Sequence, residues 1–250
     1  MQHSMSIPIC ALTTLFMTAQ FATAQPTAAE YGIQSSDEIA DPTLRAWRKQ
    51  MVAGGSLSYD KVRTLADAGD GLAAFKVAEI LLATGDETLL DDTLHYYAIA
   101  AYTGRDFAVP PMVRLLLSGK VSLSGSPLKG VEDALLVQSR RGTDAATFAL
   151  ANMYLAGKPF GSKPDDGLTL LESVARDGNG EAAVQLGMIY ATGRTGIPAD
   201  VTKAREILLI GAASEDLSAR TMAENIMRGL PPAAPPSRPA DIALTVDATQ

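Results

Sequence analysis

The chain has 250 residues, 47% of them apolar and 20% charged, with a mean hydropathy of +0.09, which excludes wholesale disorder and provides for one large or two ordinary domains. Its 21 Lys and Arg against 28 Asp and Glu leave a formal charge of −7. That balance excludes the phosphate-neutralising surface that nucleic-acid binding needs and makes anionic membranes poor partners. One cysteine, Cys10, and two histidines, His3 and His95, exclude a disulfide framework and a cysteine-cluster zinc site. They also leave few routes to an acid–base centre, so composition favours binding over catalysis.

Residues 1–29 carry no charged side chain, and the apolar run from Ile7 to Met17 leads into Ala22-Thr23-Ala24 ahead of Gln25. This pattern predicts a secretory signal peptide over residues 1–24, cut between Ala24 and Gln25, although its first residues lack the usual Lys or Arg. The run is about half of the ~20 residues that a membrane span requires. It also continues past Cys10, so that residue does not stand where a lipoprotein cysteine would. Removal of the segment leaves His95 as the last histidine and no thiol, in a periplasmic or secreted protein without a membrane insertion. Residues 25–40 are expected to be flexible. Asp41-Pro42 then opens a helix with a cap and a first-position proline, on which Leu44, Trp47 and Met51 share a face. Gly54-Gly55 closes it, and Ser58 to Ala68 supplies a partner helix. Residues 41–68 thus read as an N-terminal capping pair, with Trp47 as a packing residue.

From there the chain repeats. Gly69, Gly104, Gly142 and Gly178 stand 35, 38 and 36 residues apart, and a further step of 36 lands on Ser214. Four residues after each point comes a small residue: Ala73, Ala108, Ala146, Ala182 and Ser218. Eight residues after comes Val77, Met112, Leu150, Leu186 and Met222. A fixed period in the mid-thirties marks stacked helix pairs. In the unit after Gly104, Pro110-Pro111 should shorten the first helix, and Gly119 to Pro127 should lengthen the loop that follows. In the next, Ala146, Leu150, Met153 and Tyr154 line a first helix. A break from Gly157 to Pro164 follows, with cap candidates Asp165 and Asp166, and a second helix carries Leu168, Leu171, Val174 and Ala175. In the unit after Gly178, Ala183, Leu186, Gly187 and Tyr190 share a face. Gly193 and Gly196-Ile197-Pro198 end that helix, and Asp200 caps one that carries Val201, Ala204, Ile207, Leu208 and Ala212. Leu217 to Met227 supplies a last helix. Residues 229–250 are proline-rich at the start, lack a helical stripe and read as a flexible tail.

The run Ala182-x-x-x-Leu186-Gly187-x-x-Tyr190-x-x-Gly193, followed by Gly196-Ile197-x-x-Asp200-x-x-Lys203-Ala204, resembles the Sel-1-like repeat, a relative of the tetratricopeptide repeat. Ala146-x-x-x-Leu150-Ala151-x-x-Tyr154-x-x-Gly157 is a second good copy. Copies at Ala73 and Ala108 are degenerate, with Leu81 and Leu116 at the tyrosine position. The resemblance covers residues 69–228 and implies a right-handed all-α solenoid of helix-turn-helix repeats, about eleven helices in all. It also implies an adaptor that binds other proteins, with no catalytic residues and no cofactor. Some secreted relatives carry cysteine pairs, which are absent here.

Three signals point elsewhere and are weighed against that reading. Gly69-Asp70-Gly71 and Gly178-Asn179-Gly180 meet a relaxed dinucleotide-binding pattern, but a phosphate cradle follows a strand, whereas here a helix precedes each. A tight interhelical turn accounts for both. His95 stands outside the buried stripe without a second histidine ligand, so a surface role is expected. The acidic stretch from Asp86 to Asp92 lacks the alternation and central glycine of a calcium loop and reads as helix capping. The function expected is therefore a non-catalytic, exported, protein-binding scaffold. Alternatives are a periplasmic regulator that restrains a membrane sensor kinase, and a cell-wall or polysaccharide-processing enzyme working through carboxylates alone. Partner contacts are expected three and six residues after each small anchor, at Lys76, Glu79, Pro111, Arg114, Ala149, Asn152, Gln185 and Met188. At 100° per residue these positions point largely away from the core.

Overall fold

A computed structural model describes residues 32, 33, 35–194 and 196–232. The expected signal peptide with its Ala24–Gln25 cleavage site, the first residues of the segment 25–40 and the tail from 233 onward lie outside the described residues. Within them the chain is an all-α solenoid of eleven helices. The capping pair is α1 (Pro42–Val52) and α2 (Tyr59–Asp67), followed by α3 (Gly71–Ala83), α4 (Leu90–Tyr102), α5 (Val109–Leu117) and α6 (Gly125–Arg140). Then come α7 (Asp144–Ala156), α8 (Pro164–Arg176), α9 (Gly180–Thr192), α10 (Val201–Ala212) and α11 (Leu217–Gly229).

The turns between units explain the period. Gly69, Gly104, Gly142 and Gly178 have φ of +90°, +89°, +83° and +96°, a left-handed conformation that costs a residue with a Cβ but not glycine. Each stands just past the C-cap residue of a second helix, after Ala68, Thr103, Arg141 and Asp177. The residue after the glycine then caps the next helix where its side chain can accept: Asp70 takes the amide of Ala73 at 2.8 Å, and Asn179 that of Ala182 at 3.0 Å. Such a cap contributes about 1 kcal/mol. Asp41 and Asp200 cap α1 and α10 in the same way.

The small anchors Ala73, Ala108, Ala146 and Ala182 and the apolar residues Val77, Met112, Leu150 and Leu186 are all fully buried. Together with Tyr97, Leu94, Leu135, Leu171 and Leu208 they form the core between the helix pairs. One core cluster runs from Ile39 to Tyr154, a second from Ala151 to Ala204, and a third joins Val184, Leu208, Ala219 and Ala223.

Four expectations need correction. In the last unit Ser218 and Met222 are exposed, and Ala219 and Ala223 occupy the buried positions. The turn there lacks glycine, Asp216 caps the helix, and α11 starts one residue later than the glycine-led units set. Asp165 and Asp166 do not cap α8: Lys163 holds the cap position and Pro164 the first helical one, which leaves both carboxylates in the first turn, where they complement the helix dipole. Pro127 falls in the first turn of α6, not in the preceding loop. Part of the segment 25–40 is packed: Ser36–Glu38 form a 3-10 turn, Ile39 is buried and its carbonyl accepts the Arg45 guanidinium at 2.7 and 2.9 Å. Pro110-Pro111 act as expected, because residues 106–108 form a 3-10 turn and α5 has nine residues against 13 in α3, α7 and α9.

Candidate protein-binding face

The irregular α5–α6 unit borders a depression on the first-helix side. The helices α3 and α4, α7 and α8, and α9 and α10 pack as close pairs, whereas α5 and α6 each lie closest to α4 and α7. Along α7, between the short α5 and the start of α9, runs a groove of about 570 Å³. Val113 and Leu117 of α5 form one wall, Phe148, Ala149 and Asn152 of α7 the floor, and Asn179 and Glu181 the other wall. Leu117 is 65% exposed. Asp144 and Glu181 line the groove at the starts of α7 and α9, and Lys158 lines it just past the end of α7, so its two ends differ in charge.

The expected recognition row is only partly gathered here. Ala149 and Asn152 line the groove, and Gln185 donates from its side-chain amide to Asn152 Oδ1, which joins α7 to α9. Met188 is exposed on α9. Pro111 and Arg114 line a separate cavity of about 320 Å³ with Leu82, Leu90 and Lys120. Lys76 is exposed on α3, and Glu79 accepts a hydrogen bond from the Tyr97 hydroxyl. Val113, Leu117 and Phe148 were not anticipated. They stand two, five and nine residues after an anchor, positions that are also apolar or small in the other units (Phe75, Ala78 and Leu82 after Ala73), so the sequence pattern does not single them out.

The two repeat tyrosines do more than fill space. Tyr154 of α7 donates to Glu132 of α6 at 2.8 Å, while Lys163 pairs with the same carboxylate and lies 4.5 Å from the centroid of the Tyr154 ring. One unit later Tyr190 of α9 donates to Glu172 of α8 at 2.9 Å, and Lys203 of α10 pairs with Glu172 at 2.8 Å and lies 4.3 Å from the Tyr190 centroid. Each trio fastens three successive helices. The Lys203 ammonium, and then the Tyr190 hydroxyl, hold the Glu172 carboxyl below its ordinary range against the opposing effect of burial. Burial, and then Glu132, push the Tyr154 phenol upward. A further buried pair, Arg48 with Asp70, ties α1 to the first repeat turn.

His95 is exposed on α4, edge-on to the Tyr96 ring. Among the described residues, three or more His, Cys, Asp or Glu side chains are nowhere gathered into a possible metal site, and no helix is long and apolar enough to cross a membrane. The glycine-rich stretches at Gly69 and Gly178 are interhelical turns, each preceded by a helix. Asp86 accepts from the amide and hydroxyl of Thr88, a capping role.

No protein-family model and no curated protein matches the chain. Solved structures are similar to it, among them the following two. The chain resembles Sel1-type repeat structures. One is a protective antigen present in uropathogenic Escherichia coli strains and displaying an SLR fold, 22% identical over 72% of this chain and 39% of that one, with a TM-score of 0.47. The other is a Sel1 repeat protein from Oxalobacter formigenes, 20% identical over 72% of this chain and 68% of that one, with a TM-score of 0.38. The chain spans about two fifths of the antigen's length.

Proposed function

We propose that the chain is an exported Sel-1-like repeat scaffold that binds a protein partner and performs no catalysis. The observation that carries the reading is the groove along α7, an apolar floor and walls with acidic groups at one end and Lys158 at the other. Exposed apolar surface rimmed by polar groups is the usual mark of a protein contact, and a solenoid offers it on rigid elements. The groove is long enough to take an extended segment or one face of a helix, with an apolar anchor near Leu117 and Phe148.

Site-specific photo-crosslinking tests this. A photoreactive residue at Leu117 should capture one defined partner in the native host, and the same residue at Thr169, exposed on a second helix, should not. Leu117→Asp combined with Lys158→Glu should weaken binding of that purified partner at least tenfold without lowering the melting temperature. Unchanged binding by that variant, with loss on charge reversal at Lys76 and Arg114, would move the interface to the first units. Export rests on residues 1–24. N-terminal sequencing of the native protein should begin at Gln25, and a cytoplasmic chain that begins at Met1 would refute it.

A further inference from the structure

The last helix is an odd member of the stack. Ala219 and Ala223 of α11 hold the buried positions that Ala182 and Leu186 hold in α9, so α11 is a first helix, and among the described residues no second helix follows it. In α9 the side turned toward the end of the stack is covered by α11: Val184 joins Leu208, Ala219 and Ala223 in one cluster, and a Cβ on Gly180 would stand 2.8 Å from Ala219 Cβ. The corresponding positions of α11 are Leu217 and Thr221, and both are exposed. With Ser218, Met222, Asn225 and Ile226 they line a shallow depression of about 630 Å³ on the outer face of the helix. Leu217 is 70% exposed and Met222 49%. The residues that follow α11, as far as Pro232, turn inward instead: Leu230 packs on the Leu208 cluster, and Arg205 of α10 donates to the carbonyls of Leu230 and Pro231 at 3.0 and 2.7 Å.

The other end of the stack is closed. The exposed positions of α2 are Asp60, Lys61, Arg63, Thr64 and Asp67, the polar surface with which a solenoid ends. A head-to-tail contact would set the apolar face of α11 on that charged surface and would continue without limit. A two-fold contact sets the face on itself, and its residues are arranged for that. In an antiparallel pair of α11 helices centred between Thr221 and Met222, Leu217 of one copy lies opposite Ile226 of the other, Ser218 opposite Asn225, and Thr221 opposite Met222. Apolar ends then meet apolar ends, and hydroxyl meets amide. Glu215 and Asp216 precede the helix and Arg228 stands in its last turn, so antiparallel order also brings opposite charges together at both ends, where parallel order would bring like ones.

We infer that the outer face of α11 is the contact of a symmetric dimer of this chain. A single helix pair about 20 Å long buries less than the standard interface of about 1,600 Å², so the dimer is weak and forms at micromolar or higher concentration. It leaves the groove along α7 open in each copy and so carries two of them. The inference does not rest on the partner reading.

Sedimentation velocity on the full chain between about 1 and about 500 μM tests this. The parent should pass from monomer to dimer within that range. Met222→Glu places two carboxylates beside the two-fold axis and should raise the dissociation constant at least tenfold, with the melting temperature at low concentration unchanged because the site is exposed. Arg228→Glu should weaken the dimer about threefold, and Glu215→Arg added to it should restore the parent value. A chain with Cys10→Ser and Met222→Cys should form a disulfide-linked dimer on mild oxidation, and one with Cys10→Ser and Thr169→Cys should not. A parent that stays monomeric throughout would overturn the inference, as would a dimer that Met222→Glu leaves intact, which would place the contact elsewhere. A monomer whose Met222→Cys thiol is slow to alkylate at every dilution would also overturn it, by giving the face to another part of the same chain.

Discussion

Gly187 offers a sharp test of helix packing, because two opposing effects of known size act at one atom. It lies buried in α9, and a Cβ there would stand 2.5 Å from Leu208 Cγ and 2.6 Å from Leu208 Cδ2 of α10. Ordinary carbon contacts begin near 3.5 Å, so Leu208 or the α10 backbone must move by about 1 Å to admit a methyl group. Leu208 is fully buried. Gly→Ala in a helix interior gains about 1 kcal/mol from propensity, whereas overpacking of a tight core costs about 1–3 kcal/mol. The clash wins, with a net loss of about 1 kcal/mol and a fall in melting temperature of roughly 2–4 °C. Leu208→Ala alone should cost about 2–5 kcal/mol through its cavity. In the double variant the new methyl occupies part of that cavity, so the combined loss should fall short of the sum of the two by at least about 1 kcal/mol. Urea and thermal unfolding of the four proteins measure all of these terms. A Gly187→Ala protein more stable than its parent, with additive behaviour in the double variant, would refute the close approach of α9 and α10.

Leu186→Ala, which removes a fully buried side chain from the same helix, should cost about 2–5 kcal/mol in urea unfolding. Glu172, whose carboxyl is held low by Lys203, contributes stability that is present above its unfolded pKa near 4.3 and is lost as pH falls through the lower folded value. The stability difference between the parent and Glu172→Gln should therefore be largest at pH 6–7 and shrink toward pH 3, as read by melting temperature across that range. Tyr96 is shifted the other way, up to about 12 by burial and by Asp67, so its contribution should be intact below pH 10 and lost as pH rises toward 12, an effect that Tyr96→Phe removes. His95→Ala should leave the melting temperature within about 1 °C, since exposed sites outside networks change stability little, and should leave partner binding unchanged.

The parts of the fold legible in the sequence are those that a local rule repeats. A left-handed glycine, a capping residue and an anchor four residues on recur together, so Gly69, Gly104, Gly142 and Gly178 locate four turns and eight buried positions at once. At Ser214 the glycine is missing and the rule slips by one residue, which exposes Met222 and buries Ala223. Contacts whose partners lie at unequal spacings left no such trace. Tyr154 and Glu132 are 22 residues apart and Tyr190 and Glu172 are 18, so the tyrosines stand out as repeat signatures while their carboxylates do not. Arg48 and Asp70 were equally hidden. Arg48 belongs to a helix whose apolar stripe suggests solvent for it, and Asp70 reads fully as a helix cap, which it also is. The candidate face was half legible for the same reason: positions three and six after an anchor include Ala149 and Asn152, but the walls come from where the period fails.

That failure is what makes one surface of a repetitive stack different from the rest. A unit with two 13-residue helices, such as α3 with α4, buries its shared face within itself and with its neighbours. Pro110 and Pro111 restrict α5 to nine residues, about 6 Å shorter than α3 or α7 at 1.5 Å per residue. The α6 helix does not close against so short a partner and lies instead on α4 and α7, which keeps the core continuous through Leu135 and Leu150. The displacement leaves one gap on the first-helix side, beside α7, and another on the second-helix side, between α4 and α6. Leu117 at the end of α5 is left 65% exposed and Phe148 half-buried, with neither covered by a neighbouring helix as the equivalent surface of α9 is covered by α11. Restoring two alanines in place of the prolines would extend α5 at its start, away from Leu117, and so would leave the groove open. The site therefore depends on the displacement of α6 onto α4 and α7, which accompanies the short α5 and the 38-residue spacing between Gly104 and Gly142.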